Sequence, residues 1–510
     1  MKFTFSISGL GEKFIIKGGG NNLTPKDKKS YRIQIANQLS KNLIPFHATL
    51  ISGKQNIIIC GASGSGKTTL ANSFIKKGYK ILANDFLVIW KDKNKILAGD
   101  LNLLKINKNR KSVSIDKIVF LSPLDTRDLF KFRKEEAIKY YLESFDKKVT
   151  NLTRFTKGDL FENILDKHIV LGNRNTPVRW LRTIQNHKTI TKPGKIGIIG
   201  LGTVGKEIAS LLLTQKWINT LNLFSPNQTK LKGLVLDLKS ANPSINIIQH
   251  PSSKKLIQNS NLIVLSFKSN SKNNRYKQER MQRLDAHAKI VWGISRILRK
   301  KTYKQSLQNQ GFYKQSLQNQ GFYKGQILVI SNPVDILSWA LYYFSNLDDN
   351  AKLDWKGLLS SQVLGIGLGL DHSRLKTLTK KPYELVGEHG DNILLAKLKG
   401  SKLTSVGNKK LLNEVINYSP TIRKHVDRTI YGPAHEAFNV IRILHQGKGI
   451  IRASSVNKYD TFSGNILRWN NSLPSFNNVL TPKLNNMLRK KSELNKKYQN
   501  LLLDKIKDGT

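Results

Sequence analysis

Short apolar runs, glycine turns and amphipathic stretches succeed one another along this chain. QNIIIC reads as a buried strand, breaks into GASGSGKTT from Gly61, and continues into TLANSFIKKG, whose apolar positions recur at helical spacing. A second apolar strand follows in GYKILANDFLVIW. The same order of strand, glycine turn and helix returns at KIGIIGLGTVGKEIASLLL, and TLNLF supplies its next strand. Such alternation is the mark of α/β domains. Beyond Leu341 helix-like stretches such as HEAFNVIRILHQG mix with short strand-like ones, which predicts an α+β region. The tail from Pro482 has helical periodicity with a basic outer face and is expected to pack as a terminal helix.

The polar, basic stretch NRNTPVRWLRTIQNHKTITKPG holds two prolines and no periodic apolar pattern, so it reads as a domain end followed by a linker, with the boundary near Lys192. The predicted organisation is three domains: 1–190 with the first glycine turn, 195–340 with the second, and 341–510. A chain of 510 residues fits that number. The decapeptide YKQSLQNQGF occurs at Tyr303–Phe312 and again at Tyr313–Phe322, a tandem duplication too short for a repeat architecture.

Composition narrows the picture further. No stretch approaches the ~20 consecutive apolar residues of a membrane span, and the N-terminal apolar run is broken early, so a soluble, cytoplasmic protein is expected. Cys60, the single cysteine, lies within an apolar run and is expected to behave as a small hydrophobe. The formal charge of +51 raises the question of nucleic acid. The lysines are scattered through every segment, and no zinc-finger spacing or aromatic reader strand accompanies them, so no specific nucleic-acid partner is expected.

GASGSGKTT has the spacing GxxxxGK[ST] between a strand and a helix. Backbone N–H groups of Gly61, Ser63, Gly64, Ser65 and Gly66 would converge on phosphate oxygens, Lys67 would reach the terminal phosphates, and Thr68, beside Thr69, would reach Mg²⁺. ATP with Mg²⁺ is the expected ligand. Together with GYKILANDFLVIW, the upstream HATLISGK holding His47 and the downstream TPVRWL, this segment resembles the HPr serine kinase/phosphorylase family over roughly residues 47–181. That resemblance implies a P-loop α/β domain, a metal-binding or basic role for Asp85, and a protein substrate. Asn84 stands where the family has the first of two acids, and the family's downstream arginine-glycine signature is absent.

In GLGTVG, Gly200 allows a tight turn, Gly202 lets a pyrophosphate approach the backbone, and Gly205 packs helix on strand, with Thr203 and Val204 between them. A dinucleotide is the expected ligand. The strand TLNLF ends at Ser225 where NAD-selective sites place an acid, so NAD and NADP both stay open, with NADPH expected to be accepted at least comparably.

Later motifs follow in order: SNPVDILS from Ser331, LGIGLGLDHSRL from Leu364, VGEHGDN from Val386 and RTIYGPA from Arg428. With the glycine turn they resemble the L-lactate/malate dehydrogenase family over about residues 195–456, nearest its L-2-hydroxyisocaproate branch. The resemblance implies a Rossmann doubly wound parallel sheet, a C-terminal α+β substrate domain, a homo-oligomer, and hydride transfer between NAD(P)H and a small 2-keto acid. It makes His389 the acid–base group, Asp371 the carboxylate that orients it, and Arg374 the clamp on the substrate carboxylate. Asn332 would hold the carbonyl oxygen, Thr429 would line the pocket, and Arg280 would polarise the carbonyl from a mobile loop. Position 274 is asparagine and 275 arginine, which leaves malate-type and lactate-like or branched substrates open. Three readings of the whole chain stand: a dehydrogenase with an added ATP-binding kinase-like domain, a nucleotide-responsive regulatory protein whose dehydrogenase part is degenerate, and a kinase on a dehydrogenase scaffold.

Overall fold

A computed structural model describes the greater part of residues 43–172 and 193–507, with the short strands Lys2–Ser6 and Lys13–Lys17; Ser63, Asp85, 101–112, 173–192, 273–280 and 305–322 are among the residues outside it. Contacts divide the chain into two compact units, Met1–Asn186 and His187–Thr510.

In the first unit the apolar run Ile57–Cys60 is a fully buried strand. It pairs parallel with Lys117–Ser122 and antiparallel with Ala48–Ser52, within a six-stranded mixed sheet that also holds Leu129–Phe130, His168–Gly172 and Lys80–Ala83. Ile44–Phe46, Leu87–Asp92, Lys95–Asp100 and Val113–Ser114 make a separate antiparallel sheet. Phe46, Phe120, Tyr141 and Phe161 fill the core of the unit. Cys60 is buried beside that core, and the lost hydration of a thiolate pushes its thiol up, out of the reactive range.

The second unit begins with six parallel strands, ordered Asn246–Gln249, Thr220–Phe224, Lys195–Ile199, Leu262–Leu265, Gln326–Val329 and Val363–Gly365. Numbered along the chain this order is 3-2-1-4-5-6, the doubly wound arrangement of a Rossmann-like sheet. Such strands are covered on both faces, which is why they read as unbroken apolar runs. Ile196, Ile198 and Val264 enter the core on one face, while Ile199, Ile263 and Leu265 enter the core on the other.

The sheet continues past these six strands. Gly365 pairs antiparallel with Ser454 of the hairpin Lys448–Val456 and Phe462–Asn470, and Gly464 pairs with Gly387 at the end of Tyr383–Gly387. Strands from either side of residue 341 therefore share one sheet, and the helix Val334–Ser345 runs across that position. The tail forms the helix Pro482–Lys507, which opens on a proline suited to the first helical position and buries Leu484, Leu488 and Leu502. Among the described residues no helix is long and apolar enough to cross a membrane.

Candidate active site

Two elements of the second unit meet at a carboxylate. The helix Leu368–Leu378 starts just after the last parallel strand and carries Asp371 in its first turn and Arg374 one turn on. The hairpin of Tyr383–Gly387 and Ile393–Lys399 presents His389 at its tip, between Gly387 and Gly390. Asp371 is 2% exposed and accepts from three donors: His389 Nδ1 to Oδ2 at 2.6 Å, the Gly390 N–H to Oδ2 at 3.3 Å, and Arg374 Nη1 to Oδ1 at 3.0 Å. An ionised carboxylate has lone pairs for all three. Because a carboxylate only accepts, it fixes the His389 proton on Nδ1, and proton exchange with a ligand falls to Nε2. Arg374 spends one of its two terminal nitrogens on Asp371. Burial pushes its guanidinium down from its ordinary value, and the Asp371 charge opposes that shift.

Two residues that sequence reasoning left without a role hold this arrangement. Asp335, buried in the first turn of Val334–Ser345, accepts the His389 backbone N–H at 3.0 Å and so ties the hairpin tip to the SNPVD segment. Gly367 precedes the Asp371 helix, and a Cβ built there would lie 2.5 Å from His389 Cγ. Any side chain at 367 would displace the imidazole. Both lie inside motifs singled out from the sequence, but only their neighbours in space reveal what they do.

Asn332 has an exposed side chain, and its peptide bond to Pro333 is cis. Thr429 lies half-buried in the link between the helices Lys409–Val426 and Tyr431–Gln446. Arg280 lies outside the described residues, as do positions 274 and 275.

The second glycine turn fits a dinucleotide. Gly200 has φ +96°, and a Cβ there would meet the Ser266 carbonyl oxygen at 2.5 Å. A Cβ on Gly205 would lie 2.2 Å from the Gly200 carbonyl oxygen, whereas around Gly202 the space is open to 4 Å. The turn is thus closed behind and open where a pyrophosphate would lie, at the start of the helix Thr203–Leu213 with Val204 in its first turn. Ser225 follows the second strand, and its carbonyl accepts from Gln228 Nε2 at 2.7 Å.

The first glycine turn leads into the helix Lys67–Ile75, with Thr68 and Thr69 exposed in its first turn. Lys67 Nζ donates to the carbonyls of Gly61 at 2.7 Å and Ala62 at 3.1 Å. Gly66 takes φ +93°, and the buried Ser65 Oγ beside Gly61 has no hydrogen-bond partner among the described residues. Asn84 Oδ1 accepts from Thr49 Oγ1 at 2.8 Å. Ser63 and Asp85 lie outside the described residues.

No protein-family model matches the chain. The L-lactate dehydrogenase of Lactococcus lactis subsp. cremoris strain NZ9000 is 25% identical over 282 residues, covering 50% of this chain and 79% of the relative. The L-lactate dehydrogenase of Clostridium botulinum strain Hall is 25% identical over 259 residues, 48% of this chain and 70% of the relative. Among solved structures, a lactate dehydrogenase from a Medee basin deep-sea metagenome library aligns with TM-score 0.47 and 19% identity, covering 61% of this chain and 99% of that one. The malate dehydrogenase of Archaeoglobus fulgidus in complex with NADH aligns with TM-score 0.47 and 21% identity, covering 60% and 99%. The chain is thus homologous to an oxidoreductase class. More narrowly, roughly half of it is lactate/malate dehydrogenase-like, at about 25% identity. Half of 510 residues exceeds the whole of Met1–Asn186, so the likeness extends into the unit that carries His389.

Proposed function

We propose that the second unit interconverts a small L-2-hydroxy acid and its 2-keto acid with NAD(P)H. The observation that carries this reading is one buried carboxylate, Asp371, holding both a histidine and an arginine beside a sheet with a dinucleotide turn. Bound NAD(P)H supplies the hydride. In keto-acid reduction His389 Nε2 gives a proton to the substrate oxygen, and Asp371 stabilises each charge state of the ring from the opposite side. Arg374 turns its remaining donors to the substrate carboxylate, and the exposed Asn332 amide holds the carbonyl oxygen. Thr429 and Arg280 complete the pocket in this reading, with Arg280 polarising the carbonyl. Gly200, Gly202, Thr203, Val204 and Gly205 take the pyrophosphate, and Ser225 the ribose. The active form is a homo-oligomer. Steady-state oxidation of NADH and NADPH against a panel of lactate-like, branched and dicarboxylic 2-keto acids tests the reading. Oxidation dependent on at least one keto acid is expected, and none with any member of the panel would refute it.

In the first unit we infer ATP binding, supported by the turn at Gly64 and Gly66, by the lysine drawn onto that turn and by the orphaned Ser65 hydroxyl. Thr68 and Asp85 would hold the nucleotide's Mg²⁺. Phosphoryl transfer to a protein substrate is the finer part of this reading, and Asn84 offers no carboxylate for it. Isothermal titration with Mg-ATP, followed by an assay of ATP consumption, separates binding from turnover.

A further inference from the structure

His287 lies in the first turn of the helix Leu284–Lys304, 3% exposed, and both its ring nitrogens are engaged. Nδ1 is 2.7 Å from the Asn332 carbonyl oxygen, and Nε2 is 2.9 Å from the Ser269 backbone nitrogen. A backbone N–H only donates and a carbonyl only accepts. The ring therefore carries its single proton on Nδ1 and keeps a lone pair on Nε2.

The two segments that it joins both border the site. Residues 266–269 follow the strand Leu262–Leu265, and the Ser266–Phe267 peptide is the backbone on which the Gly200 turn packs, at 2.5 and 2.7 Å from a Cβ built on that glycine. Asn332 opens the segment whose Asp335 holds His389. Further ties frame the histidine: Ser331 Oγ donates to the Phe267 carbonyl at 2.7 Å, Arg283 Nε donates to the Ser269 carbonyl at 2.7 Å, and the Phe267 ring meets the His287 ring edge-on at 5.3 Å.

We propose that His287 is a positioning residue: as a neutral imidazole it links the backbone behind the dinucleotide turn to the Asn332 backbone, setting the distance between cofactor and substrate groups. The inference rests on the dehydrogenase reading for its catalytic consequence. Protonation would turn Nε2 from acceptor to donor and set it against the Ser269 N–H. The structure opposes that protonation by burial and by the charges of Arg283, just ahead of its own helix, and Lys268 on the facing segment, while the Asn332 carbonyl favours it; the balance holds the imidazole below its ordinary range.

His287→Phe removes both hydrogen bonds, and His287→Gln keeps one donor and one acceptor without a titrating group. With a keto acid turned over by the parent protein, His287→Phe is expected to lower kcat/KM about ten- to a hundredfold while NADH affinity, read by fluorescence titration, changes less than about threefold. His287→Gln is expected to recover most of that loss and to abolish an acid limb of the parent's kcat/KM profile. A filling residue without this role would leave the limb in place in His287→Gln, and that outcome overturns the proposal, as does an unchanged kcat/KM in His287→Phe. Imidazole ¹⁵N shifts of the parent protein read the ring without turnover. The Nδ1–H tautomer near pH 7 is expected, and an Nε2–H tautomer or a charged ring refutes the clamp even if no keto acid proves to be a substrate.

Discussion

Both units start a helix on a glycine-rich turn behind a buried strand, but the two turns are tied into their surroundings differently. The Gly200 turn backs onto the Ser266–Phe267 peptide; two residues on, Ser269 bonds His287, which bonds Asn332, and three residues past Asn332, Asp335 bonds His389, itself bonded to Asp371. Among the described residues at the Gly61 turn, Lys67 bonds to the carbonyls of its own loop and Asn84 bonds to Thr49. The proposed readings separate on this difference: chemistry in the second unit, where the supports of the turn lead to a histidine–carboxylate pair, and ATP binding in the first.

Four substitutions break or sharpen that contrast. The largest effect is expected from His389→Ala, which should lower keto-acid reduction by about 10²–10⁴-fold and leave NADH affinity nearly unchanged, since in the proposed reading the ring acts on substrate and not on the dinucleotide. Equal losses in both, measured by single-turnover kinetics and cofactor titration, would contradict that division. Next, Lys67→Ala removes a charge-assisted contact and should weaken ATP binding by about 10- to 100-fold in calorimetry without altering dehydrogenase rates. A parallel fall in a folded protein would show that the two turns are coupled.

Ser225→Asp probes cofactor choice. The parent is expected to use NADPH at least comparably to NADH, and the aspartate should shift kcat/KM towards NADH by repelling a 2′-phosphate. A parental NADH preference above roughly a hundredfold, nearly 3 kcal/mol, would rule this out.

The smallest effect concerns stability. Burial pushes the Glu436 carboxyl up to about 7 from an ordinary 4.5, and the same cause, with Arg452 beside it, lowers His372 to about 4 from 6.5. Between about 4.5 and 7 the folded chain keeps a Glu436 proton that the unfolded chain releases, so this group makes stability fall as pH rises and level off above that window. His372 acts in the other direction, its contribution being lost as pH falls from 6.5 to about 4. Glu436→Gln should therefore raise the thermal midpoint of the second unit by a few degrees at pH 8 and little at pH 5. An equal gain at both pH values would mean that packing, not ionisation, sets the difference.

The parallel strands were legible because burial on both faces makes them continuous apolar runs, and the order of motifs along the chain points to His389, Asp371 and Arg374. Their meeting was not legible from spacing alone, since 18 residues separate Asp371 from His389 and a hairpin closes the gap. His287 left no signal at all. It sits in an ordinary helical pattern, and its acceptor lies 45 residues further on. Gly367 and Asp335 fell within recognised motifs, yet a glycine kept free for a neighbour's ring looks in sequence like any turn glycine.

Glu436 has a further consequence through Gly369. A Cβ added at 369 would lie 1.8 Å from Glu436 Oε1 and 3.1 Å from the Arg452 carbonyl oxygen, so the bare helix position and the long acid opposite occupy one shared volume. The atom met at 1.8 Å is the free end of a flexible side chain, so a methyl at 369 is admitted once the Glu436 carboxylate swings aside, and the Arg452 carbonyl then sets how much larger a side chain can be.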